Sequence, residues 1–366
     1  MNKKIKLVLY FSLIISLNIN AQHQKSSNES NVILITLDGL RWQELFTGAD
    51  KKLISNKDYV KNDRELKQLF WRDTAENRKK TLMPFVWSTI KERGQIHGNR
   101  LLDSKMNLTN THWFSYPGYN EILSGIADDK RIKSNDKIPN PNHTILEIAN
   151  KTEAYKGDVA AFGSWDVFPS IINESRSGVP VNAGFNSAED LYLTPNEIYL
   201  NKLQKTTPSP WGSVRLDVFT HHFAMEYMKK KHPKLMYIAY GETDDFAHDG
   251  NYEAYLKSAN RTDGFIKELW DFVENDPFYK NNTTFIITTD HGRGTMPIDT
   301  WKGHGNKIKG SDQVWLIAFG KNIKPIGEVK HSEQIYTNQI ASSIAKLLGI
   351  PISDSKMGKP FNFIEE

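Results

Sequence analysis

The chain is predicted to be an α/β protein, with a doubly wound, mostly parallel sheet and helices on both faces. Two observations lead there. Short, near-continuous apolar runs recur at NVILITL (31–37), DVAAF (158–162), LMYIAY (235–240), TFIITT (284–289) and VWLIAF (314–319). Such runs suit strands buried on both faces. Segments with helical patterning lie between them, over Leu82–Arg93, the approach to and through Tyr119–Leu123, Thr144–Asn150, Val214–Lys231, Tyr252–Glu274 and Asn338–Leu348. Strands alternating with helices give parallel sheets covered on both sides.

The N-terminus reads differently. Lys3, Lys4 and Lys6 precede the apolar run LVLYFSLIISL, and Ala21 offers a small residue for cleavage. This is the pattern of a secretory signal peptide over residues 1–21, with an uncleaved anchor as the alternative. No Cys follows the apolar run, so a conventional lipoprotein is excluded. Residues 22–30 are polar and expected to form a disordered lead-in. Residues 31–366 are expected to form the catalytic domain. Within it, 164–212 breaks the strand–helix rhythm, carrying Pro169, Pro180, Pro195, Pro208 and Pro210. It is expected to be an irregular insertion or cap beside the active site. Residues 134–143, SNDKIPNPNH, read as a further loop.

Composition narrows the function. Of 366 residues, 39% are hydrophobic and 25% charged, as in soluble globular proteins. Loss of Lys3, Lys4 and Lys6 would take the formal net charge from +4 to +1, which gives no footprint for a nucleic-acid polymer. With no Cys, disulfides and thiolate ligands are excluded. Any metal must be held by carboxylates and imidazoles. The predicted location is the periplasm or the cell exterior, with no stable membrane anchor.

Five separated stretches hold residues of those types. They are Asp38 in ILITLDGLRW, Ser115 in WFSYPGYNEILSG, Asp244 and His248 in YGETDDFAHDG, Asp290 and His291 in FIITTDHGRG, and His304 in WKGHGN. Acidic and imidazole groups just past strand ends occupy the place where open α/β sheets put their sites. Asp38 alone reads equally well as a helix N-cap. Asp290 and His291 together are harder to explain as caps. Asp244 and His248 are four apart, which puts both on one helical face, although Asp245 or Asp249 could serve instead. His304 sits between Gly303 and Gly305, in a loop that could also simply be solvated. Oxygen and imidazole donors suit Zn²⁺, with Mn²⁺ or Fe possible, and seven candidates divide into two sites. Two metals about 4 Å apart can hold both oxygens of an in-line displacement. Ser115 lacks a G-x-S-x-G elbow, which argues against an α/β-hydrolase triad. It precedes Pro117 and a helical pattern. There it is either a plain N-cap or a nucleophile at an anion-favouring helix terminus.

In this order, strand-LDG, SYPGYNEILSG, D-x-x-x-H, TDHG and HG resemble the alkaline phosphatase superfamily over about residues 31–349. Within it they look most like the type I phosphodiesterase/nucleotide pyrophosphatase branch. The resemblance implies an alkaline phosphatase-like fold and two zinc ions. One would be held by Asp244, His248 and His304, the other by Asp38, Asp290 and His291, with the Ser115 hydroxyl alongside. It implies a phosphoseryl intermediate, and Asn135 as the residue binding a non-bridging phosphate oxygen, with Asn140 and Asn142 nearby. The chain departs from the branch in having Ser rather than Thr at the nucleophile and a short gap from His291 to His304. The sulfatase pattern C/S-x-P-x-R is met only in part, because Tyr119 stands at the Arg position. The expected activity is phosphodiesterase-like hydrolysis of a small-molecule or glycan-linked phosphate ester. A phosphomonoesterase or sulfatase is the alternative on the same fold, and a non-catalytic metal-containing glycan binder the alternative from another class. Arg176 is the candidate to pair with a monoester dianion, with Lys302 second; the alternative for either is a plain surface charge. Trp113, Trp165 and Phe168 are candidates to line a diester's second substituent, or core residues.

Overall fold

The computed structural model of the chain describes residues 30–364. The expected signal peptide and nearly all of the lead-in therefore lie outside the described residues. Ser30, at the end of that lead-in, is buried. Among the described residues no helix is long and apolar enough to cross a membrane.

The strands of the main sheet are β1 (Asn31–Leu37), β2 (Gly94–His97), β3 (Val159–Gly163), β4 (Val181–Ala183), β5 (Leu235–Tyr240), β6 (Thr283–Thr288), β7 (Leu316–Gly320) and β8 (Gly327–Glu328). Their order is β8-β2-β7-β6-β1-β5-β3-β4. β6, β1, β5, β3 and β4 run parallel, in register from Thr36↔Thr288 to Phe162↔Asn182. β7 is antiparallel to both β6 and β2. The run at 314–319 therefore reverses direction, and its first residue, Val314, pairs with Met106 in a separate three-stranded sheet.

The helices that matter for the site are α1 (Trp42–Thr47), α2 (Ser115–Ser124), α3 (Ile145–Lys151), α4 (Pro195–Thr206), α5 (Asp217–Lys231), α6 (Glu242–His248), α7 (Tyr252–Asn275) and α8 (Ile340–Leu348). β1 explains the two-layer packing. Ile33, Ile35 and Leu37 join one core cluster with α1, α5 and α7, while Val32 and Leu34 join the other with α2, α3 and α8. Side chains alternate across a strand, so a strand covered on both sides must be apolar throughout.

Two expected elements differ. The Leu82–Arg93 helix is broken into Ala75–Leu82, a π-helical turn at Val86–Ile90 and Lys91–Arg93. Pro84 falls at the break and supplies no backbone donor. The buried Asp263 carboxylate takes the Phe85 and Val86 N–H groups instead, at 2.7 and 2.9 Å. The 164–212 segment is more regular than its prolines suggest. It contributes β4 to the sheet edge, and α4 begins with Pro195 at its first turn and a Thr194–Glu197 capping box.

A buried ion pair braces the region after β1. Arg41 and Glu44 are almost fully buried and meet through Arg41 Nε and Glu44 Oε2 at 2.8 Å. Tyr252 donates its hydroxyl to Glu44, and Arg41 donates to the Gly294 carbonyl. Removing one partner strands the other charge. Glu44→Ala is expected to lower the unfolding free energy by about 3–5 kcal/mol. Urea denaturation checks this, and a loss below about 1 kcal/mol, as for a surface pair, would rule the brace out.

Candidate metal centre and nucleophile

Parallel neighbours end on the same edge of a sheet, so β6, β1 and β5 deliver their following residues to one place. Asp38 follows β1, and its N–H donates to the Tyr240 carbonyl at 2.9 Å. Asp290 and His291 follow β6, and α6 starts two residues after β5. Gly39 has φ +59°, and a Cβ there would lie 2.8 Å from Asp244 Oδ1 and 3.1 Å from His291 Cε1. Glycine is what lets these groups close in. Gly118 does the same for α2, where a Cβ would sit 2.2 Å from the Asp290 carbonyl oxygen.

Two ligand-type trios result: Asp244, His248 and His304, and Asp38, Asp290 and His291. Within each, one donor atom per residue lies within 4.8 Å of the others. In the first, His248 Nε2 is 3.2 Å from Asp244 Oδ2 and 3.0 Å from His304 Nε2. In the second, His291 Nε2 is 3.3 Å from Asp38 Oδ1 and 3.4 Å from Asp290 Oδ2. The trios adjoin: His291 stacks on His304 at 3.9 Å, and its Nε2 is 3.7 Å from Asp244 Oδ1. Ser115, the first residue of α2, is buried, with Oγ 3.4 Å from His291 Nε2.

The donor set fits cations. Asp38 Oδ1 and Asp290 Oδ2 are buried and accept no hydrogen bond, a costly state unless an ion compensates it. Burial, then the Asp38 charge, pushes the Asp290 carboxyl well above the ordinary range. Burial pulls the His291 imidazole down, but Asp290 and Asp38 outweigh it and lift it to about 9. Burial, then the positive charge of His291, holds His304 well below the imidazole norm. The carboxylate-rich trio thus demands positive charge. Carboxylate and imidazole donors without thiolate suit Zn²⁺ or Mn²⁺.

Several supporting residues were missed in the sequence. Tyr119 donates its hydroxyl to Asp38 Oδ2 at 2.7 Å. It is four residues after Ser115 on one helix, a spacing that could have flagged it. Arg293, two after His291, donates to the Asp244 carboxylate and to the Lys302 carbonyl, tying α6 to the His304 loop. Two buried carboxylates hold backbone. Glu121 accepts from the Thr109 and Asn110 N–H groups at 2.8 and 2.7 Å. Asn110 in turn accepts from His112 and Trp113 N–H, fixing the entry to Ser115, where Trp113 takes φ +57°. Asp217 accepts from Gly241 and Glu242 N–H at the start of α6. Burial and the nearby Glu242 push its carboxyl up to about 8. Nothing in the local sequence distinguishes Glu121 or Asp217 from surface acids.

The other expected residues fall as follows. Asn135 is exposed, and its Oδ1 accepts the Tyr116 N–H at 3.0 Å, one residue from Ser115. Asn140 and Asn142 are instead buried and bonded to Asn120. Arg176 is corrected: its guanidinium is taken by Glu147 at 2.7 Å and by the Asn140 and Asn142 carbonyls, so it braces α3 instead of facing the trios. Lys302 turns its ammonium towards Tyr59, 5.8 Å from the ring centre. Phe168 is core, packed on Tyr119 and Tyr237. Trp113 and Trp165 are half-buried.

Residues 218–352 match the model of the Metalloenzyme superfamily. No curated protein matches the chain. Among solved structures, the alkaline phosphatase PafA is similar over 92% of this chain and 99% of its own, with TM-score 0.61 and 10% identity. The lipoteichoic acid synthase LtaP from Listeria monocytogenes is similar over 90% of this chain and 74% of its own, with TM-score 0.56 and 10% identity. A 2-O GAG sulfatase is similar over 91% and 73%, with TM-score 0.54 and 13% identity. The fold is therefore alkaline phosphatase-like, with a large, mainly parallel sheet flanked by helices.

Tyr119→Phe removes the donor that orients Asp38. Metal retention is expected to weaken by about 10–100-fold, the usual cost of losing such a partner. Chelator competition measures this, and an unchanged half-saturation point would refute it.

Proposed function

We propose that this chain is a two-metal hydrolase of phosphate esters, phosphodiesterase-like, that works through a phosphoseryl intermediate on Ser115. The observation that carries the reading is the position of Ser115 Oγ. It is buried at a helix N-terminus, 3.4 Å from His291 Nε2, where the two trios adjoin. Ser115 follows the N-cap Phe114, and its hydroxyl lies beside the His291 ring.

Divalent cations held by Asp244, His248 and His304 and by Asp38, Asp290 and His291 would supply Lewis acidity and would favour ionised hydroxyls. The chain's own residues do the rest. Ser115 Oγ forms a bond to phosphorus as the ester oxygen departs with its alcohol, and water then cleaves the phosphoserine. At the start of α2 the Tyr116 N–H is taken by Asn135 and Pro117 has none, which leaves the Ser115 N–H as the backbone donor for an anionic phosphoryl group there. Asn135, whose Oδ1 accepts the Tyr116 N–H, would offer its amide N–H groups to a non-bridging oxygen. Tyr119 and Arg293 hold Asp38 and Asp244 in position. A hydrolase of this class in the periplasm or outside the cell would act on a small or glycan-linked phosphate ester.

The diester preference is supported by Arg176, whose guanidinium is already neutralised by Glu147. It leaves a monoester's second charge without the expected partner. A sulfatase is disfavoured because Tyr119, at the Arg position of the sulfatase pattern, is bonded to Asp38.

Ser115→Ala is expected to abolish turnover, a loss of at least about 10³-fold, with metal content unchanged. Retained activity would remove Ser115 from the mechanism. With Zn²⁺ or Mn²⁺ supplied, bis-p-nitrophenyl phosphate should be hydrolysed faster than p-nitrophenyl phosphate or p-nitrophenyl sulfate. A preference for either of the latter overturns the diesterase assignment.

A further inference from the structure

We propose that His221, His222 and Glu268 form another divalent-cation site, between α5 and α7 and separate from the trios at the strand ends. Each residue offers one ligand-type atom, and the three atoms lie within 4.8 Å of one another. The geometry is that of a partly built site. His221 is fully buried, with its ring stacked on Phe265 at 4.3 Å. Its Nδ1 lies 3.0 Å from the Tyr240 hydroxyl, and its Nε2 lies 2.9 Å from Glu268 Oε2. A hydrogen bond at one ring nitrogen is how proteins aim the other at a metal. The Tyr240 oxygen can accept an Nδ1 proton, which leaves the Nε2 lone pair directed at the space beside Glu268.

A satisfied core histidine would account for His221 alone. It does not account for His222. Consecutive helical residues project about 100° apart, yet the His222 ring lies 5.0 Å from that of His221 and offers a nitrogen to the same space. His222 is half-buried and the Glu268 side chain is 57% exposed, so solvent reaches the site. Two imidazoles and one carboxylate, with a remaining position open to water, suit Zn²⁺ or a neighbouring transition-metal ion better than Mg²⁺ or Ca²⁺. Without the cation, His221 carries its proton on Nε2 and donates it to Glu268. With the cation, that proton sits on Nδ1 and faces Tyr240. The bound ion would brace α5 against α7 behind β5. Tyr240 ends that strand, and its carbonyl receives the Asp38 N–H.

The test counts metal. Full-length protein is stripped with a chelator, dialysed against Zn²⁺ and measured by elemental mass spectrometry, alongside His222→Ala and Glu268→Gln. Each variant is expected to hold one zinc fewer per chain than the parent, and to show a smaller rise in melting temperature on zinc addition. The stripped variants should melt where the stripped parent does, because both side chains are partly exposed. The readout is a difference, so it does not depend on how many ions the strand-end centre holds. Equal zinc content in the parent and both variants would overturn the proposal.

Discussion

Three carboxylates gathered at one sheet edge set the terms for everything around them. Asp38 and Asp290 are buried, and Asp244 is nearly so. Charges of one sign in a space from which water is excluded repel strongly, and each loses hydration as well. The protein answers locally, with Tyr119 on Asp38, the Gly39 N–H on Asp290 and Arg293 on Asp244. Two carboxylate oxygens still accept no hydrogen bond. Those two buried oxygens, with only the His291 ring beside them, are the strongest physical reason to read the cluster as a metal centre.

The topology makes the clustering unavoidable. Adjacent parallel strands lie about 4.8 Å apart, so residues that follow β6, β1 and β5 are neighbours by construction. Small residues complete the approach. Gly39 and Gly118 let α2 and the Asp38 turn close on Asp290 and His291, where any side chain would collide. A surrounding layer of buried acids, Glu121, Asp217 and Glu44, accepts backbone and side-chain donors and fixes the loops that carry the site. These acids act through hydrogen bonds to fixed donors, in contrast to the under-used oxygens at the centre.

Much of the arrangement could be read along the chain. The strands showed because burial on both faces requires uninterrupted apolar runs, and Asp38, Asp290 and His291 showed because they directly follow two of those runs. Asp244 and His248 showed through helical spacing. Arg176 misled because a lone Arg in a proline-rich stretch carries no sign of its partner, and Glu147 is 29 residues away. Phe168 stayed open between site and core in the sequence, because an aromatic beside a site and an aromatic beneath it look alike there; packing against Tyr119 and Tyr237 makes it core. The regularity of α4 was hidden by Pro195, which marks its first turn instead of breaking it.

The class of fold, the types of donor available and the lack of thiolate chemistry were settled by the residues in order, because they follow from local apolar periodicity and from composition. Packing settled which donors share a space, that Tyr119 and Arg293 orient Asp38 and Asp244, and that His222 meets His221 beside Glu268. Those are contacts between residues distant in sequence or turned together on a packed surface, and their energies exist only once the strands and helices have come together.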